Sequence, residues 1–379
     1  MKQTISYLVF FSYLFILLGC TSGKKAFESG NYDQSTIQAI ERLRKNPDHK
    51  KSREVLAESY PLAVRYHIDR IYNLRSSSDP FKNGKMINEY ERLNYLYEQI
   101  MRSPGAMSVI PDPEKYYNDI TTLSNLAAEE QYLAGMEAFN TGMREGAKEA
   151  FFYFLRADEF VPGYKDSREK MEESRNMAIL KVKVEQIPLP TINYRISLDF
   201  FQDQVDQFLF HYTDNEFVRF FSPQDTWLEN PDQIMILMID EFMVGNTNNY
   251  QKSREIERDS VVVGKVTMDD GTEKEVLGTV KASYTEYTRE IVSNGLLSMK
   301  ILDGNTQRVI LHEKFPGEFV WVSRWANFNG DERALDKEQL HLSKSKPMDP
   351  PPPQELFIEF TKPIYGQLTS TINRYYQNY

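Results

Sequence analysis

Apolar positions along this chain follow two different periods, and the change falls near residue 178. From Ala26 to about Met177 they recur at steps of three and four, the spacing that lines one face of an α-helix. Between Met86 and Met101, for instance, Ile87, Tyr90, Leu93, Tyr97 and Ile100 make one stripe. Ser103-Pro104-Gly105 ends that helix, and Ile110-Pro111-Asp112-Pro113 predicts a turn whose second proline opens a helix from Glu114 to Gln131. Tyr132, Gly135, Ala138 and Phe139 share the next stripe, and helices are expected from Glu149 to Pro162 and from Tyr164 to Arg175. Pro61 is expected to kink or end the helix that carries Val55 and Leu56, because it removes a backbone donor.

From Ala178 the period becomes two. Ile179 to Ile187 reads as a strand ended by Pro188-Leu189-Pro190, and Asp199 as the cap of a helix from Phe200 to His211. Gln233 to Val244 is an apolar strand followed by a turn at Asn246-Thr247-Asn248-Asn249. Two hairpins follow. One joins Ile256–Val266 to Glu275–Val292 through Asp269-Asp270-Gly271, and the other joins Leu296–Leu302 to Arg308–Phe315 about Asp303-Gly304-Asn305. Phe319 to Val322 is a last short strand. After the proline tract in 347–353, a closing helix runs from near Gln354 to Tyr376 with an interruption at Pro363. The predicted class is therefore an α+β multidomain protein: an all-α domain over 20–177, then an α+β sandwich over 178–379 with a mainly antiparallel sheet and packed helices. The second part is similar, at the level of fold alone, to the domain of curli-secretion and penicillin-binding-protein-activator lipoproteins.

Within the helical part, Ala150, Phe154, Ala157 and Pro162 fall at the spacings of the second helix of a tetratricopeptide unit, a repeat of about 34 residues. The two alanines let helices approach, Phe154 fills the layer between them, and Pro162 stops the helix. Gly30, Tyr32 and Pro47 match the same frame, and Leu56, Ala57 and Tyr60 match the opening helix of a following unit. That copy is degenerate: Ser35, Ala39 and Arg42 stand where the pattern prefers Ala, an aromatic and Ala. The concave face of such an array binds a peptide or a partner protein, and the alternative is a stalk.

The first residues carry an address. Lys2 precedes an apolar run, Ile5 to Leu18, that is too short to span a bilayer, and Leu17-Leu18-Gly19-Cys20 closes it. The pattern resembles a bacterial lipoprotein signal with its lipobox. The resemblance implies removal of residues 1–19, acylation of Cys20 and a chain tethered by that residue. Thr21 is not the Asp that favours inner-membrane retention, and Thr21 to Lys25 holds no acidic run. By family habit this implies the outer membrane, facing the periplasm. Taken whole, the chain resembles an uncharacterised family of Bacteroidota outer-membrane lipoproteins with a tetratricopeptide-like region. The stretches that carry the resemblance are Tyr60 to Ala63, Asp199 to Val205, Phe315 to Ser323, Phe328 to Leu335 and Phe360 to Tyr365. No catalytic or binding residue carries over with it.

Composition narrows the chemistry. Hydrophobic residues make up 41% of the 379 positions, enough for packed cores. A formal net charge of -10 argues against nucleic acid, whose binders need a basic stripe. Cys20 is the only cysteine, so once it is lipidated, disulfides, thiolate zinc sites and cysteine nucleophiles are excluded. The histidines at 49, 67, 211, 312 and 341 never pair at helical ligand spacing and read as structural. There is no phosphate-cradling glycine loop and no Gly-x-Ser-x-Gly elbow. No cofactor or metal is expected.

The one suggestive constellation is Trp321, Trp325, Asp331 and Arg333. Aromatic faces with a carboxylate could make a carbohydrate platform. Alternatively, Asp331 caps a short helix, Arg333 pairs with it and the tryptophans fill core. Asp331 and Glu332 are adjacent, a poor arrangement for a glycosidase pair, whose carboxylates flank one bond at about 5 to 9 Å. The expectation is a non-enzymatic, membrane-anchored adaptor or scaffold that contacts envelope proteins in assembly or secretion. It does not bind nucleic acid, and no small-molecule ligand is expected. The alternative is a peptidoglycan- or glycan-binding protein, including a hydrolase.

Overall fold

The structure, a computed structural model, describes residues 23–185, 187, 197–269 and 271–379. The expected leader over 1–19 and the lipidation position Cys20 lie outside them. The chain is mixed α and β and divides into two compact units, one ending at Ala178 and the other running from Ile179 to Tyr379.

The described part of the first unit is built of helices: α1 (Lys24–Glu28), α2 (Tyr32–Lys45), α3 (Lys50–Arg75), α4 (Lys82–Met101), α5 (Pro104–Met107), α6 (Tyr117–Phe139), α7 (Arg144–Phe160) and α8 (Ser167–Ala178). Side-chain caps start three of them: Asn31 accepts from the Gln34 amide at 3.1 Å, His49 from the Ser52 amide at 3.3 Å and Ser103 from the Ala106 amide at 3.3 Å. Their apolar stripes meet in local clusters. Ile40, Leu43, Leu56 and Ile100 form one, and Ile71, Met86, Tyr90 and Leu93 another. Ala150, Phe154 and Ala157 are fully buried on α7. Gly135 of α6 makes room for Phe154, since a Cβ there would lie 2.8 Å from the phenyl ring.

Two expectations are corrected in this unit. The helix expected to stop at Gln131 and the stripe from Tyr132 are one element, α6. Pro61 does not end its helix: α3 continues for 26 residues with Pro61 inside it. Both Pro61 and Ala57, whose carbonyl loses its donor, face solvent, so water can satisfy the freed group.

The second unit holds a five-stranded sheet in the order β2-β1-β3-β4-β5. Its elements are β1 (Leu180–Glu185), α9 (Asp199–Phe210), β2 (Val218–Phe221), β3 (Gln233–Thr267), β4 (Glu273–Asp303), β5 (Val309–Gly330), a 3₁₀ turn (Glu332–Ala334), α10 (Lys337–Lys344) and α11 (Pro353–Tyr376). β1 runs parallel to β2 and β3, and the long pairings β3/β4 and β4/β5 are antiparallel. Strand residues Val182, Met235, Leu237, Leu297, Met299 and Ile301 meet Phe201, Val205 and Leu209 of α9 and Phe357, Phe360, Ile364 and Leu368 of α11 in the main core.

The expected short hairpins are instead three very long strands. Asn246 to Asn249 is no turn: those residues pair with Val292 to Arg289 inside β3/β4, after a bulge at which Gly245 takes φ 82°. Ser293-Asn294-Gly295 and Pro316-Gly317 are likewise strand interiors, and the last strand, expected to end at Val322, runs on through Phe328 to Gly330. Polar residues and glycines mark turns only when backbone groups lack other partners, and here neighbouring strands supply them. Pro363 sits on the exposed side of a continuous α11 instead of interrupting it. The helix after β1 starts at Asp199, whose amide bonds the Ser197 hydroxyl at 3.1 Å, and Asp199 is not its cap.

Candidate functional site

The long strands make an arm. β1 pairs only with Gln233 to Ile236 of β3, and the main core ends near Val244 and Ile291. Beyond them β3 continues to Thr267, about 75 Å at ~3.3 Å per residue. β5 stops at Gly330, opposite Ala282, so the outermost ribbon is β3 and β4 alone. It turns at Gly271 (φ 81°), where the Met268 amide donates to the Thr272 carbonyl at 2.8 Å.

The sheet changes its buried face along the arm. In β4 the buried apolar side chains Ile291, Leu297, Met299 and Ile301 are all at odd positions, whereas nearer the tip the buried residues are Val280, Ala282 and Tyr284, all even. The β4/β5 register is unbroken from Ala282 to Ile301, so these two sets lie on opposite faces. The outer set forms its own small core with Ala326, Ala334 and Leu335, against which Phe328, Leu340 and Leu342 pack. α10 closes it, started by a capping box in which Asp336 accepts from the Gln339 amide at 2.8 Å and the Gln339 side chain accepts in return at 2.9 Å. The proline-rich run joins α10 on one face to α11 on the other, and the Met348 amide donates to Ser323 Oγ at 3.1 Å on the way.

Past that small core the apolar side chains are bare on both faces. Val263 sits over Gly278, where a Cβ would lie 3.0 Å away, Val266 and Val276 are 52% and 40% exposed, and Leu277, on the face opposite to Val276, is 58% exposed. An uncovered apolar ribbon with open edges is what folded proteins usually avoid. Below the tip, β3 carries Lys252, Arg254, Glu255, Glu257, Arg258 and Asp259, and bulges break its register near Arg258 and Val262. Mixed charge and the bulge near Arg258 discourage indiscriminate strand pairing there, and the tip sets its exposed valines beside charges of its own, Lys265 pairing with Glu273 at 3.1 Å.

The residues singled out in the sequence do not converge. Trp321 and Trp325 share one face of β5, and Trp321 packs against the main core. Trp325 stacks on Tyr287 (centroids 5.5 Å apart, 9° between planes), and the Arg289 guanidinium lies 5.5 Å from its ring centre. Asp331 stands just beyond the strand, about 20 Å along the chain from Trp325. It accepts from the Arg333 amide at 3.0 Å and starts the 3₁₀ turn. Arg333 pairs with it at 2.5 Å and donates to the Val262 carbonyl at 2.6 Å, tying this turn to β3. The Arg333 side chain, then its amide, hold the Asp331 carboxyl down to about 2. In an NMR titration Asp331 should remain ionised until the pH falls near that value. Arg333→Gln should move it up toward the ordinary ~3.9, and an unmoved midpoint would contradict the pairing.

A second polar constellation, in the helical unit, was not legible in the sequence. His67 lies on the buried stripe Ala63/His67/Ile71 of α3 and is 1% exposed. Its Nδ1 is 2.6 Å from Glu89 on α4, and its Nε2 is 3.0 Å from Asp33 on α2. Arg70 Nε donates to the other Glu89 oxygen at 2.8 Å, and Tyr66 lies edge-on to the imidazole. A histidine on an apolar stripe at i, i+4 was the available signal: such a ring needs partners, and only the fold says which. This network floors a cavity of about 440 Å³. Among the described residues no group of three or more His, Cys, Asp and Glu is placed to hold a metal ion, and no helix is long and apolar enough to cross a membrane. Compared with protein-family models, curated proteins and solved structures, the chain matches none.

Proposed function

We propose that this chain is a non-enzymatic, lipid-anchored adaptor of the outer membrane that faces the periplasm and joins envelope proteins during assembly or secretion. The arm carries the reading. A sheet extended far past its core, stiffened by a second small core and ending in bare valines, is a device for reaching and holding a partner. The leader and Cys20 support the anchor. Ala150 and Ala157 beside Phe154, seated against Gly135, support a tetratricopeptide-like helical unit as the second contact. The glycan alternative would gather Trp321, Trp325 and Asp331 about one ligand, but the strand spreads them over about 30 Å.

The test is a photoreactive side chain placed at Val266 or Leu277 in growing cells. One discrete adduct with an envelope protein is expected, and it should vanish when Val263 and Val276 are both changed to Asp while the melting temperature holds. Absence of any adduct from the tip, or a mature chain that does not begin at an acylated Cys20, would overturn the proposal.

A further inference from the structure

The cavity above His67 lies where α2, α3 and α4 meet, within the first unit. Its volume is about 440 Å³. Tyr32 and Tyr66 supply aromatic wall. The floor is closed to new partners: both His67 nitrogens are engaged, and Glu89 is shared between His67 and Arg70. A ring that meets a carboxylate at each nitrogen donates from both and is therefore an imidazolium. The lining charges are then Asp33 and Glu89 against His67, Arg70 and Arg92, an excess of one positive charge.

Arg92 carries that excess. It stands one turn beyond Glu89 on α4, is exposed, and makes no hydrogen bond or ion pair with the described residues. The nearby carboxylates are committed to His67 and Arg70, so they cannot neutralise it. From this we infer that the cavity binds a small organic monocarboxylate with an aromatic or apolar body, its carboxylate on the Arg92 fork and its body against the tyrosines. A monoanion cancels the excess charge, whereas a phosphate dianion would leave surplus negative charge beside Asp33 and Glu89. No small-molecule ligand is expected from the sequence, in which nothing singles out Arg92. The site does not depend on the adaptor reading or on the arm.

Calorimetry on the full mature chain at pH 7, where phenyl phosphate is mostly the dianion, with benzoate, benzamide and phenyl phosphate as probes, tests this. Benzoate should bind saturably and about tenfold or more tighter than either of the other two, the loss expected when a charge-assisted fork is removed or mismatched. Arg92→Gln should weaken benzoate by a similar factor with an unchanged melting temperature, and Arg92→Lys should fall between. No saturable benzoate binding, equal binding of benzamide, tighter binding of phenyl phosphate, or unchanged affinity in Arg92→Gln would each overturn the inference.

Discussion

Replacing Phe360 with alanine should destabilise the sheet unit by about 3–5 kcal/mol, the usual cost of emptying a buried phenyl site. Phe360 is fully buried on α11, with Phe357 5.1 Å and Phe242 6.4 Å away between ring centres. The sheet is dented to receive it. Gly295 of β4 and Gly317 of β5 lie directly opposite one another, and a Cβ at Gly295 would stand 2.6 Å from the Phe360 ring. At Gly317 a Cβ would stand 2.2 Å from the Phe360 carbonyl oxygen. Gly317→Ala should therefore destabilise more than Gly295→Ala, because it meets helix backbone and the whole helix must lift. Chemical denaturation of the three variants measures this. A loss under about 1 kcal/mol for Phe360→Ala would mean that α11 does not seat here.

His67→Ala should cost the helical unit about 3–5 kcal/mol, because it leaves Glu89 and Asp33 without the cation between them. The pH dependence has a definite sign. Burial pushes the His67 pKa down, but the hydrogen bonds the ring donates to Asp33 and Glu89, and their charges, outweigh it and hold the ring above its ordinary 6.5. A raised pKa in the fold means that the stabilisation is fully present below the unfolded value and is lost as pH rises through the folded one. Thermal melts of the wild type should therefore fall on going upward from about pH 6.5, and His67→Gln should flatten that slope. An equal slope in the variant would show that other groups are responsible.

The helical unit was the more legible half. Its stripes at steps of three and four named core residues such as Ile87, Tyr90, Leu93 and Ile100, and all four are buried. Helix hydrogen bonds close within four residues, so a local pattern suffices to mark them. Proline misled at Pro61 and Pro363 because its cost depends on whether the freed carbonyl meets water, a matter of which side faces solvent. Asp331 could be read as a cap from its neighbours alone, and the structure shows it bonded to the Arg333 amide at 3.0 Å. The arm was not legible. Its strands expose both faces over long stretches, so the alternation that signals a half-buried strand is lost, and Asn246 to Asn249 looks like a turn.

By itself, then, the sequence determined the change of period near residue 178, the helices, and the presence of antiparallel strands about Gly271, because each of these is decided by neighbours within a few residues. Only the tertiary structure decided that the hairpins merge into one arm, that Gly295 and Gly317 face Phe360 and that His67 meets Asp33 and Glu89. Those outcomes depend on pairings between residues from 22 to 70 positions apart, where a strand's backbone groups and a buried charge find partners that local spacing does not specify.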